Sequence, residues 1–184
     1  SEKYGYAGWV GSFDLNGNTI RTHYQNADGS THIYENGIAY SYYSYDDFGN
    51  VTEKKFYGTN KNLYIDKKGY VRIERKYDSL SRVTEETNFD AYDAYLNAKD
   101  NICRKHYRYN KKNQISEEDC FFIDTLIIPQ HLKSIHYTYG DHENIIEESY
   151  YDIDGVLWAD SIGICMKRFK YDSRNNLIEE PYFN

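Results

Sequence analysis

The chain has 184 residues, 22 of them tyrosine, and a formal net charge of −7. Nucleic-acid-binding proteins carry a basic footprint, so this charge argues against a nucleic-acid partner. No apolar run approaches the ~20 residues of a membrane-spanning helix, and no membrane insertion is expected. The three cysteines have no close pairing motif, which predicts free thiols rather than a disulfide framework.

A short pattern recurs six times along the chain. Each copy has an aromatic anchor, a turn, two residues that are mostly apolar or β-branched, and then, in most copies, glutamate. The anchors are Phe13, Tyr45, Tyr77, Tyr109, Tyr139 and Tyr171. By subtraction, the steps between them are 32, 32, 32, 30 and 32 residues. A fixed period is the signature of a repeat architecture, so residues 1–184 are interpreted as one repeat array.

Each copy predicts a β-hairpin, because two runs of about eight residues flank a tight turn. The turns are expected at residues 15–17, 47–49, 79–81, 111–113, 141–143 and 173–175. The last turn position is often Gly or Asn, which tolerate positive φ. Ser81 and Glu143 occupy it in two copies, and those two turns are expected to differ. A lone hairpin is marginal in water, which favours an all-β tandem array of six hairpin repeats, either a solenoid-like spiral or an open meandering sheet.

The register follows from the three-residue loop and the hydrophobic pattern. It places Tyr45 opposite Val51 and Tyr43 opposite Glu53. The anchors then share one face with a row of glutamates, called here the Glu row. Its members are Glu53, Glu85, Glu117, Glu147 and Glu179, and Arg21 takes this place in the first copy.

The neighbouring glutamates are expected on the opposite, charged face. They are Glu86, Glu118, Glu148 and Glu180, with the bases Arg72, Lys76, Arg104, Arg108, Arg168 and Lys170. A half-buried carboxylate needs a donor, and Arg75, Lys105, Lys167, tyrosine hydroxyls or connector N–H groups are the candidates for the Glu row. We interpret the row as structural pins between hairpins, with a cation or sugar site as the alternative. A repeated, identical carboxylate does not suit a glycosidase pair.

About a dozen residues connect successive hairpins. They predict a turn, a short extended piece and another turn. The Asp152–Gly155 segment is interpreted as such a turn, because no glutamate closes a calcium loop at the required distance. Pro129 argues against a central strand in the connector that contains it.

At these turns the sequence resembles a known repeat family. The segments "YDDFGN" from Tyr45, "YDSLSR" from Tyr77 and "YDSRNNLIEE" from Tyr171 resemble the YD repeats of RHS-type proteins. The unit here is longer than the usual YD repeat, and the turn glycine is lost from four of six copies. The segment "NIIEESYYDIDGVLW" resembles bacterial repeat proteins of a YD-like type. This resemblance implies a secreted or cell-surface β scaffold, a shell around a toxin or a ligand-binding array, and no catalytic residues.

Exposed aromatic side chains are the candidates for ligand binding, since they often mark interaction sites. They are Tyr24, Tyr40, Tyr42, Phe56, Tyr150, Trp158 and Tyr182. The alternative is that the connectors pack over them.

The sequence favours a non-enzymatic repeat scaffold or protein-binding module of a larger secreted or cell-surface bacterial protein. The alternatives are a carbohydrate-binding module that uses exposed Tyr and Trp, and a segment of a toxin-enclosing shell. No cofactor or metal is expected. The expected partners are a protein, further repeats of the same array, or a glycan. Unprotected edge strands also predict end-to-end self-association.

Overall fold

The protein is described by a computed structural model that covers residues 8–33, 37–65, 71–96, 102–122, 130–160 and 162–184. These residues form fourteen strands, every described pairing between them is antiparallel, and they contain no helix. The all-β hairpin array is therefore confirmed. No helix suited to crossing a membrane occurs in the described segments. Pro129 lies outside the described residues, so the expectation about its connector is not tested.

The chain divides into two compact units, and the first contains the described residues up to Arg104. Its strands are β1 (Gly8–Phe13), β2 (Thr19–Gln25), β3 (Tyr40–Tyr45), β4 (Val51–Tyr57), β5 (Arg72–Tyr77) and β6 (Val83–Phe89). Each strand pairs with the next one along the chain. The first unit is thus three hairpins laid side by side.

The second unit contains the described residues from Lys105 onward. Its strands are β7 (Arg104–Tyr109), β8 (Ile115–Phe122), β9 (Gln130–Tyr139), β10 (Ile145–Tyr151), β11 (Met166–Arg168), β12 (Lys170–Tyr171), β13 (Leu177–Glu179) and β14 (Tyr182–Phe183). The last hairpin is interrupted, because β11 pairs with β14 while β12 and β13 form a separate small sheet. Pro181, which has no N–H to donate, lies between β13 and β14.

All six hairpin turns lie where the sequence predicts them. The last turn residue has positive φ in every copy, including Ser81 at 59° and Glu143 at 64°. The expectation that these two turns differ is therefore wrong. In the second copy, Asp46 begins the turn, and its Oδ1 accepts hydrogen bonds from the backbone N–H groups of Phe48 at 3.0 Å and Asn50 at 2.9 Å. Asp78 caps the turn of Ser81 in the same way. The turn of Glu143 begins with Gly140 and is closed by backbone hydrogen bonds.

The same turn recurs in the connectors. Turns closed by identical backbone hydrogen bonds begin at Asn26, Gly58, Asp90, Asp152 and Asp160. The interpretation of Asp152 as a turn residue is therefore confirmed. After four of these turns the chain folds back onto the preceding strand in single bridges, such as Tyr57 with Leu63. In the first unit, the connector residue Leu96 packs against a small core of Ile38, Phe56 and Ile73.

A β-bulge follows the anchor in each hairpin whose register is described. Tyr45 lies opposite Val51 as predicted, but Glu53 lies opposite Ser44 rather than Tyr43. Thr52 is the extra residue, and an extra residue turns every following side chain to the other face. The corresponding extra residues elsewhere are Ile20, Thr84, Ile146 and Ile178. The predicted register is thus correct at the anchor and wrong beyond it.

Neighbouring hairpins share only a short ladder in the first unit. Six residue pairs join β3 to β4 within a hairpin, whereas three pairs join β4 to the next hairpin at β5. Beyond that ladder the hydroxyl of Tyr77 donates a hydrogen bond to the carbonyl oxygen of Val51 at 2.7 Å. We call this contact the anchor hydrogen bond. It recurs from Tyr45 to Thr19, from Tyr139 to Ile115 and from Tyr171 to Ile145, at 2.7–2.9 Å.

We predict that Tyr77→Phe lowers the free energy of unfolding by about 1 kcal/mol, because the substitution removes one donor from a half-buried carbonyl oxygen. Urea denaturation followed by circular dichroism measures this loss. Tyr92→Phe is the matched control, because Tyr92 is 91% exposed in a connector turn. Equal effects of the two substitutions would contradict the structural role of the anchor hydrogen bond.

The turn aspartates predict a loss of stability in acid. The side-chain hydrogen bond from Asn50, followed by backbone N–H donors, lowers the pKa of Asp46, and the pKa values of Asp14 and Asp78 are lowered by side-chain hydrogen bonds from Asn18 and Arg82. A lowered folded-state pKa stabilises the fold above about pH 4, and this stabilisation disappears as the pH falls through that pKa.

Replacing Asp14, Asp46 and Asp78 by Asn tests this linkage. Asparagine keeps the cap, since Asn110 Oδ1 accepts the same two backbone hydrogen bonds in its own turn at 2.8 Å and 3.1 Å. Melting temperatures between pH 7 and pH 2 should fall less steeply in the triple variant than in the unmodified protein. Parallel curves would show that these carboxylates do not contribute to acid unfolding.

Candidate functional site

The Glu row lies on the face opposite the anchors, because the bulge reverses the second strand of each hairpin. Glu53, for example, shares a face with its partner Ser44 rather than with Tyr43 and Tyr45. Every member of the row is ion-paired. The pairs are Glu53 with Lys55 at 2.8 Å, Glu85 with Lys76 at 2.8 Å, Glu117 with Arg108, Glu147 with Arg168 at 2.9 Å and Glu179 with Lys170 at 2.5 Å. The expectation that the row shares the anchor face is therefore wrong.

The bases proposed for the Glu row bind the neighbouring glutamates instead. Arg75 pairs with Glu86 at 2.8 Å and Lys105 with Glu118 at 2.9 Å. Lys167 lies 3.9 Å from Glu148. The two consecutive glutamates of a copy thus point to opposite faces of the sheet and bind bases on both. These ion pairs favour the structural interpretation of the glutamates.

Two of the aromatic candidates are buried rather than exposed. Phe56 and Tyr150 each expose 7% of their surface, so they are unsuited to bind a ligand at the surface. The bulge is again the reason, because it turns Phe56 toward the face of Ser41 and into the core. The hydroxyl of Tyr150 donates to Glu148, and burial is the main cause of the raised pKa of Tyr150.

The remaining aromatic candidates are divided between the two units. In the first unit, Tyr42 is 39% exposed, while Tyr24 and Tyr40 are half-buried. In the second unit, Trp158 is half-buried with Lys133 Nζ 5.7 Å from its ring centroid, and Tyr182 is 53% exposed. In the first unit, Tyr42 lies beside an open groove.

That groove has a volume of about 450 Å³ and lies on the face that carries Glu53. Tyr42 and Tyr57 form one wall, with ring centroids 5.0 Å apart in an edge-to-face arrangement. The rest of the lining consists of Ser12, Ile20, Arg21, Tyr43, Ser44, Glu53 and Lys55. Tyr42 was a candidate from the sequence, but Arg21 was noted only as the exception in the Glu row. The replacement of glutamate by Arg21 in the first copy is the sequence feature that could have indicated this groove.

The three cysteines are free and buried, as predicted. Burial raises the pKa of Cys103, and it raises the pKa of Cys120 to about 12. A thiol with such a pKa is protonated at neutral pH and reacts slowly. Among the described residues, no group of three or more His, Cys, Asp or Glu is placed to hold a metal ion.

Charge reversal tests the bulged register. We predict that Lys76→Glu destabilises the protein by about 0.2–1 kcal/mol through repulsion of Glu85, and that adding Glu85→Lys restores the loss. Adding Glu86→Lys instead should not restore it, because Glu86 faces Arg75. Rescue by the second combination but not by the first would contradict the bulge.

Thiol labelling tests the burial of the cysteines. At pH 8 without reductant, the folded protein should react slowly with a maleimide, and in 8 M urea it should gain three labels. Mass spectrometry counts them. Fewer than three labels on the unfolded chain would indicate a disulfide.

Comparison with known proteins identifies a similar fold but no sequence relative. No protein-family model matches the chain, and no curated protein matches it. Among solved structures, the chain is similar to one in the crystal structure of TcdB2-TccC3-TEV, with 14% identity and a TM-score of 0.57 over 94% of this chain and 7% of that one.

Two weaker similarities are to structures that also contain TccC3. TcdB2-TccC3 without its hypervariable C-terminal region gives 11% identity and a TM-score of 0.49, over 92% of this chain and 9% of that one. The Photorhabdus luminescens Tc holotoxin pore gives 11% identity and a TM-score of 0.43, over 92% of this chain and 11% of that one. The chain thus spans about a tenth or less of each of these proteins. The likeness at 0.57 is one of fold.

Proposed function

We propose that this chain is a segment of the wall of an RHS-type shell that encloses a cargo protein. The observation that carries the proposal is the fold similarity to TcdB2-TccC3-TEV, which covers 94% of this chain but only 7% of that one. A hairpin array of this kind is therefore found as a small part of a much longer protein. The secreted or cell-surface location that the sequence resemblance implies is part of this proposal.

The junction between hairpins suits a wall that grows by repetition. Each described junction inside the first unit has three ladder pairs and one anchor hydrogen bond, from Tyr45 or from Tyr77. A further hairpin can be added through the same contacts without a new kind of interface, as in other repeat proteins. The expected partners are accordingly more repeats of the same array.

Ion pairs on both faces also suit a wall with solvent on its two sides. Lys76–Glu85 lies on one face and Arg75–Glu86 on the other. A sheet covered by a second layer would instead need one continuous apolar face. This arrangement supports a non-enzymatic, enclosing role over a layered globular enzyme.

Electron cryo-microscopy of the full-length protein that contains this chain tests the proposal. We expect a closed hollow particle with these hairpins in its wall and with protein density inside. Limited proteolysis should spare the enclosed cargo protein in the intact particle. It should cleave that cargo in the double variant Tyr77→Phe, Tyr139→Phe, which lacks two anchor hydrogen bonds. An extended arm with both sheet faces in bulk solvent would contradict the proposal, and so would a solid domain without an interior cavity.

A further inference from the structure

The groove beside Tyr42 has a counterpart one repeat later in the first unit. That second groove, of about 410 Å³, is lined by Ser44, Thr52, Glu53, Glu74, Arg75, Lys76 and Glu85. Each of these residues stands 32 positions after a residue of the first groove, from Ser12 and Ser44 to Glu53 and Glu85. The two grooves are therefore the same site of the repeat, and their differences in side chain can be compared directly.

The charged side chains that line the second groove are ion-paired. Lys76 pairs with Glu85 at 2.8 Å on the face of the groove, and Arg75 pairs with Glu86 at 2.8 Å on the opposite face. Glu74 pairs with Arg72. Its charged groups therefore have partners within the sheet, and the position serves stability.

The first groove replaces those groups by aromatic and hydroxyl side chains. Tyr42 stands where the second groove has Glu74, Tyr43 where it has Arg75, and Ser44 where it has Lys76. Arg21 takes the place of the Glu-row member Glu53. The first groove thus has aromatic and hydroxyl side chains and Arg21 at positions that are charged in the second, and it keeps one ion pair, Lys55–Glu53.

Arg21 is left without a counter-charge. It forms no ion pair with a described residue, and its buried Nε has no hydrogen-bond partner among them. The carboxylate in this groove, Glu53, is held by Lys55 at 2.8 Å and by Arg72 at 3.5 Å. Burial, followed by the charge of Arg21, lowers the pKa of the neighbouring His23. The Cζ of Arg21 lies 5.6 Å from the ring centroid of Tyr40, so the guanidinium has an aromatic neighbour but no carboxylate partner among the described residues.

We propose that this groove binds a carboxylated sugar. The guanidinium of Arg21 matches a carboxylate in planar geometry. Tyr42 and Tyr57 offer aromatic surface to a flat ring, and the hydroxyls of Ser12 and Ser44 can bond sugar hydroxyls. Few polar groups on a mostly apolar wall are typical of small-ligand sites. The inference is independent of the proposed shell, since either face of a wall could carry such a site.

The position of the groove favours a sugar over a peptide strand. Peptides that add to a sheet require a free edge. The groove runs from Ser12 of β1 to Lys55 and Tyr57 of β4, and its central strands β2 and β3 each pair with a strand on both sides. A ligand at this place must therefore lie flat on side chains, as a sugar ring does on aromatic rings.

Titration with tetragalacturonic acid, followed by NMR on the labelled chain at low ionic strength, tests the proposal. Its fully methyl-esterified form is the matched neutral probe. We expect amide shifts around Arg21 and Tyr42, and an affinity for the acid at least about tenfold higher than for the ester, because a charge-assisted hydrogen bond is lost with the carboxylate. The preference should weaken with added salt.

Three variants make the outcome decisive. Arg21→Gln should remove the preference for the acid, and Arg21→Lys should retain only part of it. Arg174→Gln, at an exposed turn of the second unit, should bind as the unmodified chain does. Unfolding curves identify any variant that fails to fold.

Three results would overturn the assignment. They are no binding of the acid, equal binding of acid and ester, and equal losses from Arg21→Gln and Arg174→Gln. Tighter binding of a tetraglutamate peptide than of the oligosaccharide would also overturn it, in favour of an acidic protein partner.

Discussion

The hydrogen bond from an anchor tyrosine to a carbonyl of the preceding hairpin is the contact on which the array depends. A hairpin has little stability alone, and in the first unit its ladder to the next hairpin is only three pairs long. Tyr77 reaches past the end of that ladder to the carbonyl of Val51. Phenylalanine would fill the same space but could not satisfy that oxygen, which explains why five of the six anchors are tyrosine.

The bulge beside each anchor decides the use of the two consecutive glutamates. Because one extra residue follows the position opposite the anchor, Glu85 and Glu86 meet Lys76 and Arg75 on opposite faces. Both faces of the sheet are thereby held by ion pairs, and neither has to be covered by another layer. The groove of the first two hairpins departs from this pattern, since Arg21 forms no ion pair with a described residue.

The sequence predicts the features that repeat with a fixed spacing. The period, the all-β class and all six turn positions follow from the anchors and from the turn residues, and turn geometry is local. The prediction fails for Ser81 and Glu143. Their turns begin with Asp or Gly and are closed by backbone hydrogen bonds even though a less suited residue takes the left-handed position. The hydrogen bonds that close the turn therefore outweigh the backbone preference of the residue at the left-handed position.

The sequence predicts the candidate site only in part. Side-chain orientation is predicted from strict alternation along a strand, and one bulge residue reverses that alternation for all later positions. Thr52 occupies one position in the sequence and reverses every later side chain of β4. Phe56 is therefore buried where the sequence predicts it to be exposed, whereas Tyr42, on the strand without the extra residue, is exposed as predicted. Charge matching was the available clue, since the bulged register brings Glu85 to Lys76 and Glu86 to Arg75.

The most direct measurement is NMR detection of the anchor hydroxyl protons in the isotope-labelled protein. The hydroxyl protons of Tyr45, Tyr77, Tyr139 and Tyr171 should exchange slowly with water, and that of Tyr77 should show a coupling through the hydrogen bond to the carbonyl carbon of Val51. The hydroxyl proton of the exposed Tyr92 should exchange too fast to be seen. Fast exchange at the anchors as well as at Tyr92 would contradict the account that these hydrogen bonds join the hairpins.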